Sequence, residues 1–261
     1  MTEVERINEE HRACEDATGG SVGERRGERM TGAEEERVET AYHEAGHAVA
    51  LYALGFDLGG ASIVSGRDHL GRVGTPTNEA VAERLDVLEY LGEDGETYLM
   101  RQIVLAFSGV KSVEILTGQD HDPRAGDVQF WLPGSDWHRL NTWLPMLAAP
   151  EDYPSVYDKT WDEAERVLRE NWGAVSAVAA ALLERGELDA ATLRSTLREA
   201  DCARDDAPIR RVVLIIEGDL LRERRMQLMD EGDPGNELEG VQERIERNGR
   251  ELQELYGEED G

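Results

Sequence analysis

Along most of this chain apolar side chains recur at every third or fourth position, the period of a helix with one buried face. Residues 1–30 depart from it. They mix charge with glycine, as in "GGSVGERRGERM", and show no apolar period, which predicts a flexible acidic arm. From Thr31 the period sets in. Ala41, Ala45, Ala48, Val49 and Tyr52 step along one face, Thr31 stands where a cap belongs, acids fill the first turns, and Gly55 is placed to stop the helix.

Two short apolar stretches follow, Ala61 to Val64 and Leu70 to Val73, parted by a Gly/Asp turn and closed by Pro76; this predicts a small β-hairpin. Helical spacing then predicts helices over about Asn78 to Leu91 and Thr97 to Leu116. "TGQDHDPRAGD" breaks the pattern with Gly118, Pro123 and Gly126 and reads as a loop leading to a helix that begins near Asp127. Trp161, Ala164, Leu168, Trp172, Val175, Ala179 and Leu182 trace one continuous face, predicting a single long helix. After Gly186 a further helix restarts with Asp189 as its cap. Ile209 to Tyr256 reads as two charged amphipathic helices joined at "DEGDPGNE". The expectation is a mainly α protein: an arm over residues 1–30, a helical domain with a small hairpin over 31–204, and a C-terminal helical hairpin over 205–261 suited to self-association or partner contact.

Composition narrows the function. The 261 residues carry 56 acids against 28 basic side chains, a formal charge of −28, so a phosphate backbone would be repelled and nucleic acid is excluded as a general partner. The longest apolar runs, "VVLII" and "AVSAVAAALL", fall short of the roughly 20 residues needed to span a bilayer, and the acidic amino-terminal stretch has no apolar signal core. Cys14 and Cys202 lie far apart in polar surroundings, as free thiols in a reducing compartment do. These features together predict a cytoplasmic protein without a membrane span.

The chemistry is concentrated in "TAYHEAGHAVALYAL", residues 40–54. His43 and His47 are four apart, so a helix puts both imidazoles on one face, where they can hold one metal ion. Glu44 stands beside such an ion rather than on it, as the general base of a zinc peptidase does. A helix burying two histidines and a glutamate among Ala, Val and Leu needs something to compensate them, and a Zn2+ ion does so directly. Gly46 costs about 1 kcal/mol in a helix relative to alanine, a cost explained where another backbone approaches closely.

"AYHEAGHAVA" resembles the signature of the peptidase domain of FtsH-type ATP-dependent zinc metalloproteases. "ASIVSGRDHLGRVGTP" is similar to that family's hairpin after the zinc helix, and "AFSGVKSVEILTG" to its next signature helix, with Gly109 and Glu114 at corresponding places. "TGQDHDPRAGDVQFW" is similar to the following loop and helix start, where the family supplies an aspartate as third zinc ligand; Asp127 is the matching position. The loop is shortened and altered, so Asp120, Asp122 and His121 stand as alternatives, with Asp127 favoured by its place at a helix start. Glu79 and Glu83 read as surface acids, and Ala50 and Ala53 occupy the positions where a metzincin needs its Gly and third His. The resemblance covers about residues 31–198 and implies an FtsH-peptidase-like helical domain. No G-x-x-x-x-G-K-[ST] occurs in the chain. The expectation is therefore an ATP-independent zinc metallopeptidase acting on peptides or unfolded protein segments, alone, as a homo-oligomer through the C-terminal helices, or with a separate ATPase or adaptor. A peptidase-like binding module is the competing expectation.

Overall fold

The motif-bearing segment is helical from end to end: α1 runs Gly32–Ala53, with acids Glu34 and Glu35 in its first turn. It ends as the sequence predicts, at Gly55, whose φ of 87° only glycine adopts without strain. Phe56 N–H reaches back to the Leu51 carbonyl and Gly55 N–H to that of Tyr52, closing the last turn. Two guanidiniums take the remaining carbonyls. Arg204 donates to Tyr52, Gly55 and Phe56, and Arg101 donates to Leu54. Cations at that end also suit the helix dipole, so α1 is held firmly at the end its own sequence leaves without a basic residue.

The computed structural model describes residues 32–65, 71–74, 91–119, 136–233 and 237–257, the side chains of 137–139 excepted. The helices expected near 78–91 and from Asp127 lie wholly or partly outside these. The chain falls into two units, Met1–Glu35 and Glu36–Gly261. In the second unit α1 is followed by β1 (Ala61–Ser62), β2 (Arg72–Val73), α2 (Glu93–Thr117), α3 (Asp136–Leu147), a 3-10 turn (Pro150–Asp152), α4 (Tyr153–Glu170), α5 (Trp172–Arg185), β3 (Glu187–Leu188), α6 (Ala190–Glu199), α7 (Ala207–Glu231) and α8 (Leu238–Gly257). The protein is mainly α with a small antiparallel sheet, as the periodicity predicts.

That sheet has one strand more than the predicted hairpin. Its order is β2-β1-β3, with Ala61 opposite both Val73 and Leu188, and Ser62 opposite both Arg72 and Glu187. The first set faces the core, where Ala61 and Leu188 are buried; the second faces away from it. Two-residue strands leave no alternation to read, which is why β3 is silent in the sequence.

α2 is the central element and packs against α3, α4 and α7. It starts earlier than the apolar period indicates because Glu93, Asp94 and Glu96 lie in its first turn, where acids meet the positive end of the helix dipole. The predicted long helix is broken. Asn171 separates α4 from α5: its side-chain amide donates to the Val167 carbonyl while its side-chain oxygen accepts from Ala203 N–H. The apolar period runs through the break because Ala164, Leu168, Val175, Ala179 and Leu182 all enter one core. Asp189 caps α6 as predicted, accepting from Thr192 N–H at 2.7 Å.

The C-terminal pair is built in two halves. Ile209, Val212 and Ile216 of α7 belong to the main core, whereas Leu221, Leu228 and Val241 form a small cluster of their own between α7 and α8. Arg211 pairs with Asp94 of α2 at 2.8 Å, and the Tyr256 hydroxyl bonds the same carboxylate, so both helices are tied to α2. Among the described residues no helix is long and apolar enough to cross a membrane.

Candidate metal centre

The site begins where α1 crosses α2. A Cβ on Gly46 would lie 2.5 Å from the Ser108 carbonyl oxygen and 2.7 Å from the Ser112 side chain, so only glycine permits this crossing. The sequence-level reason for a helix glycine here is therefore met: a second backbone does approach it. The crossing brings the Ser112 hydroxyl to the Tyr42 carbonyl at 2.6 Å and the Leu105 carbonyl to His47 Nδ1 at 3.0 Å. A carbonyl only accepts, so His47 carries its proton on Nδ1 and presents the lone pair of Nε2 to the site.

His43 Nε2 lies 3.1 Å from His47 Nε2, the i, i+4 convergence predicted for them. The third member is Asp136, the first residue of α3. Its Oδ2 is 3.0 Å from His47 Nε2 and 3.4 Å from His43 Nε2. Gly109 of α2 makes the room: a Cβ there would sit 2.4 Å from His47 Nε2 and 2.6 Å from His43 Nε2. Thus α1 supplies two nitrogens, α3 a carboxylate, and α2 a smooth wall behind them. His47 is buried, while the His43 and Asp136 side chains are 29% and 25% exposed, leaving one open side.

Burial works to raise the Asp136 carboxyl, but His47 and His43 outweigh it and hold the group well below the usual carboxylate range. It is ionised at neutral pH. Two imidazole nitrogens and a carboxylate directed at one point repel one another unless a proton or cation lies among them. The donor set fits a metal by spacing as well as by chemistry. Four ligands at 2.0–2.1 Å in a tetrahedron stand about 3.3–3.4 Å apart, and the separations here are 3.0, 3.1 and 3.4 Å. Among the described residues, His43, His47 and Asp136 are the group that can hold a metal ion.

Asp127, the residue matching the family's third ligand, lies outside the described residues, as do Asp120, Asp122 and His121. Asp136 escaped the sequence reading, although it obeys the rule applied to Asp127: an acid opening a helix, here "DWHRL", directly after Pro133, Gly134 and Ser135. Trp143 of α3 packs in the core; Trp131 and the side chain of Trp137 lie outside the described residues.

Neither a family model nor a curated protein matches this chain. The functional reading therefore rests on the residues and their geometry.

Glu44 is buried, and the backbone of Gly71 lies directly against it: a Cβ on Gly71 would be 2.4 Å from Glu44 Oε1 and 2.7 Å from its Cδ. Gly71, the residue before β2, is thus seated on the carboxylate expected to act as base. Other reactive groups are disposed of structurally. Burial pushes the Cys202 thiol up to about 11, so it is an inert core group. Lys111 is buried between Glu114 at 2.8 Å and Glu165 at 3.2 Å, over the ring of Trp161. A cavity of about 720 Å³ is lined by the end of α1, the first half of α2 and α4, and by none of His43, Glu44, His47 and Asp136. Its arginines are already engaged, Arg101 with Asp205, Arg166 with Glu163 and Glu170, and Arg204 with the end of α1.

Proposed function

We propose that this chain is a zinc metallopeptidase that hydrolyses peptide bonds in unfolded or flexible segments, with Glu44 as general base and His43, His47 and Asp136 as metal ligands. The observation that carries the reading is the convergence of His43 Nε2, His47 Nε2 and Asp136 Oδ2 at the spacing of a tetrahedral shell, on a helix that also carries Glu44. The resemblance of "AYHEAGHAVA" to the FtsH-type peptidase signature points the same way.

Two histidines and one carboxylate match the protein ligands of a catalytic rather than a structural zinc site, which keeps a position open for water or substrate. Zinc bound there supplies a Lewis acid for the scissile carbonyl and lowers the pKa of a water. The protein's own groups do the rest. The Leu105 carbonyl fixes the His47 tautomer so that the Nε2 lone pair would be free to hold the metal. Asp136, ionised at neutral pH, adds negative charge that helps retain the cation. Glu44 takes the proton of the attacking water on its carboxylate and passes it to the departing amine. The chain contains no phosphate loop, so this hydrolysis draws on no nucleotide bound by these residues.

The test compares the protein with Glu44→Gln. Both are expected to bind zinc stoichiometrically, while Glu44→Gln loses about 10²–10⁴-fold in cleavage of an unfolded, alkylated protein. Equal turnover by the two proteins would refute the role of Glu44. Full zinc occupancy with no cleavage by the wild type on a broad panel of unfolded proteins would favour a binding module.

A further inference from the structure

Gly71, the residue before β2, lies against Glu44, and β2 is an edge of the sheet among the described residues. Gly71 presses on the Glu44 carboxylate, the next residue opens β2, and the order β2-β1-β3 leaves the outer side of β2 unpaired among the described residues. A peptide segment reaching the centre in extended form can add to that edge as a further strand, at about 4.7–4.9 Å from β2. The first side chain it meets beyond Gly71 is Arg72. Arg72 is exposed and has no hydrogen-bond or ion-pair partner among the described residues. Register places it on the outward face with Ser62 and Glu187, and Glu187 is drawn to the Ser62 hydroxyl at 3.2 Å rather than to Arg72.

We propose that Arg72 is a specificity determinant, selecting substrates with an acidic side chain at the peptide position directly opposite it on the β2 edge. This rests on the peptidase reading for the site but makes a separate claim. Residues directly across an antiparallel pair show their side chains on the same face, so an acid at that position lies beside the guanidinium, close to the scissile bond. The chain's net charge of −28 disfavours acidic peptides at long range, so a local preference for one has to come from a cation at the edge. An exposed cross-strand ion pair is modest. A preference of about two- to five-fold is expected, shrinking as salt rises.

The experiment uses the full-length zinc-loaded protein and fluorescein-labelled, otherwise uncharged flexible peptides in which glutamate or glutamine occupies each position in turn. Cleavage is measured with the wild type, and binding by fluorescence anisotropy with Glu44→Gln, each with and without Arg72→Gln and Arg72→Glu. The expected result is one position at which glutamate is preferred over glutamine in binding and in kcat/KM, the preference lost in Arg72→Gln and reversed toward glutamine in Arg72→Glu. Zinc content should be the same in all of them. Cleavage with the same glutamate-to-glutamine ratio before and after Arg72→Gln overturns the proposal and leaves the peptidase standing. Arg72-dependent binding without cleavage supports the edge and overturns the peptidase. Peptides neither bound nor cleaved overturn both.

Discussion

Gly109 shows how a residue without a functional group decides what the site can do. It lies closer to His43 and His47 than any side chain could, so its missing Cβ is the space in which the imidazoles meet. Gly109→Ala is expected to lower zinc affinity by at least about a hundredfold, at or beyond the upper end of the 10–100-fold typical of a change behind the ligands. Competition with a chromophoric chelator measures this, and affinity within about threefold of wild type would show that the imidazoles can turn aside. Glu44 has a similar dependence on Gly71, but there the neighbour is the carboxylate of the expected base rather than a ligand. The proposed ligands His43 and His47 and the proposed base Glu44 were legible because their spacing alone puts them on one helix. Asp136 was not: nothing within "GSDWHRL" says that α3 will lie against α2 with its first residue beside His47. That placement is made by packing, in which Leu140, Trp143 and Leu144 enter the common core.

The motif helix owes its rigidity to elements distant in sequence. Its C-terminal carbonyls are closed by Arg204, from the segment before α7, and by Arg101 of α2. Arg204→Ala removes three charge-assisted hydrogen bonds from partly exposed carbonyls, and a loss of about 2 kcal/mol is expected. Urea unfolding should show a lower midpoint with an unchanged slope. An unchanged midpoint would mean that Gly55 and its turn suffice. The caps that act locally, Gly55 and Asp189, could be read from sequence because each serves its own helix. The break at Asn171 could not, because an Asn inside an apolar period becomes a stop only when Ala203 is present to bond its side-chain oxygen.

At the scale of the molecule the C-terminal pair joins core and appendage. Ile209, Val212 and Ile216 lie in the main core, and losing aliphatic side chains of this size costs about 2–5 kcal/mol each. Deleting residues 207–261 therefore removes a sum comparable to the whole stability of a typical domain, about 5–15 kcal/mol, and should leave a chain without a cooperative unfolding transition. Replacing residues 222–243 with a short glycine-serine turn removes Leu228 and Val241 of the far cluster while keeping Arg211 and Tyr256 on Asp94. That variant should melt cooperatively at a lower temperature and bind zinc as the wild type does. Weakened zinc binding in it would show that the far half of the pair supports the centre.

The central claim is that His43, His47 and Asp136 hold a zinc ion beside Glu44. An anomalous-difference map from crystals grown with zinc, collected on both sides of the zinc absorption edge, tests it most directly. The account predicts one strong peak about 2.0–2.2 Å from the two Nε2 atoms and from an Asp136 carboxylate oxygen, with one position open to solvent. A map without a peak there, or with a peak bound to the histidines but completed by an acid other than Asp136, would contradict it.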